Sequence, residues 1–165
     1  MSPALRVVLD TDFLSAFLKI DRLSLVKDFY GIEELLVPPA VYREVSLTDL
    51  LPGLVSIPWI RIQLLDAKRK QRLLQDGEFA RLGPGEQEAI ALSLGWQGAV
   101  LLMNDKQAGR VATRLDIEVL NIPIFLSACK ISGFTSRDEI ASLVSALEDR
   151  DHYGFRKDVR DLLLS

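Results

Sequence analysis

Short apolar runs alternate along this chain with longer stretches in which apolar residues recur at helical spacing. The two clearest runs are residues 5–9, Leu-Arg-Val-Val-Leu, and residues 99–103, Ala-Val-Leu-Leu-Met. Near-continuous apolar runs of this length are typical of strands that are buried on both faces of a parallel sheet. Shorter runs predict further strands at 34–37, 59–64 and 117–120.

Helical periodicity between these runs predicts a helix in nearly every interval. The predicted helices are 12–20, 23–30, 39–45, 66–75, 86–94, 107–115, 123–131, 138–148 and 155–164. Residues 46–58 contain two prolines and a glycine, which favours a loop or a weak element. Strands that alternate with helices predict a three-layer α/β sandwich around a mostly parallel central sheet.

The length of 165 residues suits one domain with a proper core. We find no repeat and no linker, so we expect a single domain over residues 1–165 with a C-terminal helical extension from about 135. No apolar run has the length of a membrane span and no signal sequence opens the chain. These features predict a cytoplasmic protein without a membrane partner.

The composition excludes several kinds of chemistry. A single cysteine, Cys129, rules out an internal disulfide or a thiolate cluster, and a single histidine, His152, rules out a histidine-rich metal site. The net charge of −3 means that a nucleic-acid partner must be held by a local basic patch or through metal ions. The basic run at 68–72 is explained better as a solvated helix face.

Acidic residues recur where strands end and helices begin. Asp10 ends the first strand and Asp105 the second buried strand, so a parallel sheet places both at one edge. Glu44 lies on the helix that Pro39 opens, and Glu86 lies in the first turn after a Gly-Pro-Gly turn. Each acid alone is explained by helix capping, the helix dipole or surface exposure. Together they are the hard oxygen ligands that Mg²⁺ or Mn²⁺ requires for hydrolysis by metal-activated water.

Four passages in this order resemble the motifs of the PIN-domain family of nucleases. Residues 7–14, Val-Val-Leu-Asp-Thr-Asp-Phe-Leu, resemble its apolar strand ending in Asp-Thr-Asn, and residues 37–45 resemble its proline-started helix bearing an acid. Residues 82–92, Leu-Gly-Pro-Gly-Glu-Gln-Glu-Ala-Ile-Ala-Leu, are similar to the Gly-Glu-x-Glu-Ala-Ile-Ala-Leu motif of a subgroup of small prokaryotic members. Residues 101–112 resemble its strand, acid and arginine-bearing helix.

The resemblance implies a PIN-like fold and an endoribonuclease that depends on Mg²⁺ or Mn²⁺ and cleaves single-stranded or structured RNA. It implies that the catalytic and metal-binding residues are the four acids: Asp10, Glu44, Glu86 and Asp105. It also implies that the protein is the toxin of a toxin–antitoxin pair, with a small antitoxin protein as partner, and that it forms a homodimer.

The chain departs from the family pattern at two positions. Asp12 stands where the family has asparagine, and it is a further candidate ligand or a helix cap. Lys106 stands where the family often has a second acid, so the number of bound ions, one or two, stays open. Because residues two apart on a helix point in different directions, only one of Glu86 and Glu88 is expected to face the metal. We favour Glu86.

Two further residues are expected to support the acids. Thr11 is expected to orient Asp10 by a hydrogen bond, as groups behind metal ligands do. Arg110 either contacts a phosphate or forms a salt bridge with the acids, and we favour the salt bridge.

Two other functions compete with the nuclease. Lys106 and the mild acidity also suit a catalytically weakened PIN-like scaffold or RNA-binding module, which would need no divalent ion. A receiver-like phosphoacceptor would also use acids such as Asp10 and Asp12, but the chain lacks the Thr and Lys that it needs at later strand ends.

Overall fold

The computed structural model describes residues 4–165 and contains a five-stranded sheet in the order β3-β2-β1-β4-β5. Every neighbouring pair of strands is parallel, with Val8 of β1 opposite Leu36 of β2 and Leu101 of β4. The strands are β1 (Val7–Leu9), β2 (Leu35–Val37), β3 (Ile60–Ile62), β4 (Val100–Leu102) and β5 (Glu118–Leu120). The predicted α/β sandwich is confirmed, and its sheet is entirely parallel.

Eleven helices accompany this sheet within residues 4–165. They are α1 (Thr11–Lys19), α2 (Leu23–Tyr30), α3 (Pro39–Ser46), α4 (Leu51–Val55), α5 (Ala67–Leu73), α6 (Gly77–Ala80), α7 (Pro84–Ser93), α8 (Lys106–Arg114), α9 (Ile122–Ile131), α10 (Arg137–Arg150) and α11 (Lys157–Leu164). None of the helices in this part of the chain is long and apolar enough to cross a membrane.

The two faces of the sheet bury two separate apolar cores, because successive side chains of a strand point to opposite faces. Val7 and Leu9 pack with α1, α2, α9 and α10. Val8 and Leu101 pack with α6, α7 and α8. Both faces of the central strands are therefore covered, which explains why their sequences are apolar without alternation.

An aromatic cluster fixes the start of α1 against the sheet. The rings of Phe13 and Phe17 stack with their centroids 5.0 Å apart, and Phe125 of α9 meets both edge-on. All three side chains are fully buried. This packing anchors the short segment Asp10-Thr11-Asp12 at the carboxyl edge of the sheet.

Two short helices differ from the predictions. Residues 46–58 contain α4, which is held by the buried Leu54 although its sequence includes a proline and a glycine. α6 was not predicted; its N–H groups at Glu78 and Phe79 donate to the capping carboxylate of Asp76. Both helices are too short for hydrophobic periodicity to reveal them, and each is stabilised by one buried side chain or one cap.

The C-terminal helix α11 is held to α9 by a lysine. Lys130 Nζ donates to the main-chain oxygens of Leu162 and Ser165, both at 2.8 Å, and of Leu163 at 3.2 Å. A cation at the carbonyl end of the helix gives these oxygens a donor and complements the helix dipole.

Replacing Lys130 with methionine is expected to lower the free energy of unfolding by about 1–2 kcal/mol, because charged hydrogen bonds to the end of α11 are lost. Urea unfolding measures this change. Lys157→Met, at an exposed position of α11, is the matched control and should change the free energy of unfolding by less than about 0.5 kcal/mol. Equal losses in both variants would contradict the proposed role of Lys130.

Candidate metal centre

Asp10 lies directly after β1 at the carboxyl edge of the sheet and is only 2% exposed. Its Oδ1 accepts a hydrogen bond from the backbone N–H of Phe13 at 2.8 Å, and its Oδ2 accepts from the backbone N–H of Asn104 at 3.3 Å. The carboxylate therefore caps α1 and at the same time bridges to the residue that follows β4. Both oxygens are held by the main chain.

Burial and neighbouring negative charges raise the pKa values of three acids at this edge. Burial raises the pKa of Asp10 to about 7, and the charges of Asp12 and Glu86 add to this effect, while the two backbone hydrogen bonds oppose it. Partial burial, followed by the charges of Asp105 and Asp151, raises the pKa of Asp12. Burial also raises the pKa of Glu86, and the charges of Asp105 and Asp12 contribute. The edge thus has an excess of negative charge.

Glu44 of α3 is brought to the same place by contacts with α1 and α7. It accepts hydrogen bonds from the hydroxyl of Thr11 and, at 3.0 Å, from the backbone N–H of Gly85. The expectation that Thr11 orients Asp10 is therefore wrong. Main-chain donors already occupy both oxygens of Asp10, and the hydroxyl of Thr11 turns to Glu44 instead.

The structure distinguishes the two candidate glutamates of α7. Glu86 accepts from the backbone N–H of Gly83 at 3.3 Å and lines a small cleft of about 100 Å³ together with Asp10, Asp12 and Glu44. Glu88 accepts from the backbone N–H of Ala40 at 2.9 Å and pairs with Lys70 at 3.4 Å. Glu88 therefore connects α7 to α3 and α5, and Glu86 is the glutamate that faces the acids.

Asp105 caps α8 and lies beside the small cleft, not in its lining. Its side chain accepts from the backbone N–H of Ala108 at 2.9 Å, and it lines an adjoining groove with Asp12. Its charge nevertheless acts on Asp12 and Glu86, as their raised pKa values indicate. Asp105 thus completes the acidic edge from the side of β4.

The two cations near Asp105 have no acidic partner. Among residues 4–165, neither Lys106 nor Arg110 lies within 4 Å of a carboxylate oxygen. The favoured prediction of a salt bridge between Arg110 and the acids is therefore wrong. Arg110 is exposed on α8, where solvation of its guanidinium competes with pairing, and it lines a groove of about 530 Å³ with Lys106.

Three residues at this edge were not predicted from the sequence. Asn104 Oδ1 accepts from the hydroxyl of Tyr153 at 3.1 Å and from the backbone N–H of Ile122 at 3.3 Å. Asp151 pairs with Lys19 at 2.8 Å and adds to the charge near Asp12. Asn104 could have been predicted as a site residue because it directly precedes the candidate ligand Asp105. No motif or periodicity in the sequence identifies Tyr153 or Asp151.

The donor set fits a hard divalent cation. The acids at the edge are Asp10, Asp12, Glu44, Glu86 and Asp105, and within residues 4–165 none of them pairs with a lysine or arginine. No three described His, Cys, Asp or Glu side chains converge closely enough to enclose an ion by themselves. As these side chains stand, an ion at this edge would be bound by fewer than three of them, and water would complete its coordination, as it commonly does for Mg²⁺.

Comparison with known proteins agrees with this geometry. No curated protein matches the chain. A family model described as a PIN domain matches residues 6–164, a range that includes every strand of the sheet and all five acids of the edge. PIN domains are generally metal-dependent nucleases that use Mg²⁺ or Mn²⁺ and act on RNA. The subgroup with the Gly-Glu-x-Glu motif stays a prediction. The chain belongs to the PIN-domain family.

Proposed function

We propose that this protein is an endoribonuclease that depends on Mg²⁺ or Mn²⁺. The observation that carries the proposal is the buried carboxyl group of Asp10, which lies among further acids and has no cationic side chain to neutralise it. Uncompensated charge at a buried position is costly, so a bound cation is the natural partner. We assign Asp10, Glu44, Glu86 and Asp105 to the metal-binding and catalytic set, with Asp12 at its rim.

The main chain and one side chain hold two of these carboxylates in place. Phe13 and Asn104 fix Asp10 through their backbone N–H groups, and Thr11 and Gly85 fix Glu44. A divalent ion bound there would supply an acidified water and stabilise the negative charge that develops on the scissile phosphate. Asp10 and Glu44 are therefore each fixed before an ion binds, whereas coordination of one ion by three or more of the acids would require side chains to move towards one another.

Lys106 and Arg110 support a nucleic-acid substrate. Both are exposed, free of acidic partners within the described residues, and lie in the groove next to Asp105. Phosphate groups of a nucleic acid are positioned by such cations. In a protein with a net charge of −3, this local pair gives the substrate backbone a place to bind beside the acids.

Three further parts of the proposal rest on the family resemblance alone. We propose that the protein is a toxin, that a small antitoxin neutralises it, and that it forms a homodimer. From length and composition we also propose that it acts in the cytoplasm and that residues 1–165 fold as one domain, completed by the helices after residue 135.

Glu86→Gln and Glu88→Gln test the site as a matched pair. Glu86→Gln is expected to weaken Mn²⁺ binding and lower RNA cleavage at least about tenfold, because a charged ligand is lost. Glu88→Gln retains a side-chain oxygen that can accept from Ala40, so cleavage should stay near that of the unmodified protein. Isothermal titration with Mn²⁺ and cleavage of an end-labelled single-stranded RNA, with and without EDTA, measure both effects.

If the unmodified protein neither binds Mn²⁺ nor cleaves RNA when Mn²⁺ is present, the proposed nuclease function is contradicted. The scaffold or RNA-binding module would then account for the fold. Equal losses in the two glutamine variants would contradict the placement of Glu86 in the centre.

A further inference from the structure

A groove of about 710 Å³ opens next to the acids, between α9 and the segment 151–156 that links α10 to α11. We call it the aromatic groove. Asp12, Asn104 and Asp105 line it at one end, so it is continuous with the acidic edge. A chain bound across the acids would reach this groove without a break.

Apolar side chains form a large part of the wall of the aromatic groove. The rings of Tyr153 and Phe155 lie with centroids 4.6 Å apart at an angle of 59°. Ile124 of α9 and Leu162 of α11 also line the groove and are 51% and 70% exposed. Exposed apolar side chains concentrated beside a functional edge mark a binding surface.

Polar groups also line the groove. Lys106 lies there without an acidic partner in the described chain, and Arg156 pairs only with Asp158, through an exposed contact of 2.7 Å. Asn104 uses its Oδ1 for two hydrogen bonds, and its amide N–H groups have no partner among residues 4–165. The groove thus combines aromatic faces, a cation and free amide donors.

We propose that the aromatic groove binds one unstacked base of a single-stranded RNA, whose adjoining phosphate pairs with Lys106. This inference rests on the proposed function and adds a binding site for the neighbouring nucleotide. Bases bind to proteins by stacking on aromatic side chains, while cations hold the adjacent backbone. The volume lies within the range of about 300–1,000 Å³ that is typical of small-ligand sites.

The shape of the groove favours a base over a helix of a protein partner. A helix in a groove needs a long apolar strip for anchors at positions i, i+3, i+4 and i+7. Here the strip is interrupted, because Asp12, Asp105 and Lys106 occupy one end of the groove. A planar base matches the apolar part, and its phosphate can pair with Lys106.

Replacement of Ile124 with glutamate tests the groove. Fluorescence anisotropy of the full-length protein with a labelled single-stranded RNA of about 12 nucleotides, in EDTA, gives the affinity without cleavage. Ile124→Glu should weaken this affinity at least about tenfold, the effect expected when a stacked base is lost. Ile131→Glu is the matched control, since Ile131 is 85% exposed on the same helix and outside the groove; its affinity should not change.

A second variant separates the base from the phosphates. Phe155→Trp keeps an aromatic face, and emission of the added indole should be quenched by the single-stranded RNA. The same oligonucleotide with abasic positions should quench it far less and bind more weakly. Folding of each variant is checked by its thermal unfolding curve.

Two results would overturn the inference. One is an RNA affinity of Ile124→Glu equal to that of the unmodified protein. If the sedimentation coefficient of this variant also differs from that of the unmodified protein, the groove is a contact between two copies of the chain instead. The other is equal affinity for the intact and the abasic RNA. The binding titrations contain no divalent ion and therefore do not depend on cleavage. If the protein binds RNA in this groove but does not cleave it when Mn²⁺ is added, the proposed nuclease activity is contradicted and the base-binding groove is not.

Discussion

Replacing Asp10 with asparagine is expected to lower Mn²⁺-stimulated RNA cleavage at least about 100-fold, because even groups that only support metal ligands contribute about 10–100-fold. Asparagine is nearly isosteric and can still accept the hydrogen bond from Phe13, so the start of α1 should be unchanged. The lost negative charge removes the central ligand of the proposed site. Mn²⁺ titration should show the same loss.

The same substitution is expected to stabilise the metal-free protein at pH 8. Burial raises the pKa of Asp10 to about 7, and Asp12 of α1 and Glu86 of α7 face it with like charge. The folded protein therefore holds this proton more tightly than the unfolded chain does. That contribution is complete below about pH 4 and is lost as the pH rises through about 7. Because asparagine cannot ionise, the Asp10→Asn variant does not lose this stability as the pH rises.

The stabilisation of Asp10→Asn at pH 8 should be about 1–3 kcal/mol, after allowance for the hydrogen bond from Asn104 that an amide group cannot accept equally well. The difference in the free energy of unfolding between the variant and the unmodified protein should become smaller towards pH 5. Denaturant unfolding in EDTA at the two pH values measures it. Adding Mn²⁺ should stabilise the unmodified protein and leave the variant unchanged.

A less stable Asp10→Asn protein at pH 8 would mean that the buried carboxylate is not under strain. Preserved cleavage in that variant would remove Asp10 from the metal site. The pair of outcomes that we expect, higher stability and lost activity, is typical of residues kept for function at a cost in stability.

The sheet could be predicted from the sequence because its central strands are buried on both faces. Residues 5–9 and 99–103 are apolar without alternation, and only covered parallel strands tolerate this pattern. β3 was also predicted, but its alternating run 59–64 forms a shorter strand at an exposed edge. The helices α4 and α6 were missed because their stability comes from one buried side chain or cap, which periodicity does not detect.

The acidic edge could be predicted only in outline. Parallel strands bring Asp10 and Asp105 to one edge whatever the details, and the motif order added Glu44 and Glu86. The partner of Thr11 could not be predicted, since it depends on how α3 packs against α1 and α7. The same holds for Glu88, whose contacts with Ala40 and Lys70 come from distant elements.

The aromatic groove had no signature in the sequence. Tyr153 lies in a segment that no periodicity or motif marks, and Phe155, predicted at the start of the last helix, precedes that helix, which begins at Lys157. Their position next to Asn104 results from the packing of α10 and α11 against α1 and α9. Sites of this kind arise from contacts between residues far apart in the chain, so only a structure reveals them.

Replacing Gly85 with alanine is expected to disturb the metal centre without unfolding the protein. A Cβ atom at this position would lie 2.6 Å from Oε2 of Glu44 and 2.9 Å from the hydroxyl oxygen of Thr11. Both distances are too short, so the carboxylate of Glu44 must move away from α7. Alanine also favours the helical state over glycine by about 0.5–1 kcal/mol, which offsets part of the strain. Stability should therefore change little.

The displaced carboxylate should lower Mn²⁺ affinity and RNA cleavage about 10–100-fold in Gly85→Ala, as when a group that positions a ligand is lost. Gly77→Ala is the matched control, because a Cβ atom there meets nothing within 4 Å and Gly77 does not line the cleft. It should cleave RNA like the unmodified protein. If Gly85→Ala also binds Mn²⁺ normally while unfolding at the same denaturant concentration, Glu44 does not hold the ion. The metal would then depend on Asp10, Glu86 and Asp105, and the contacts of Glu44 with Thr11 and Gly85 would serve only to join α1, α3 and α7.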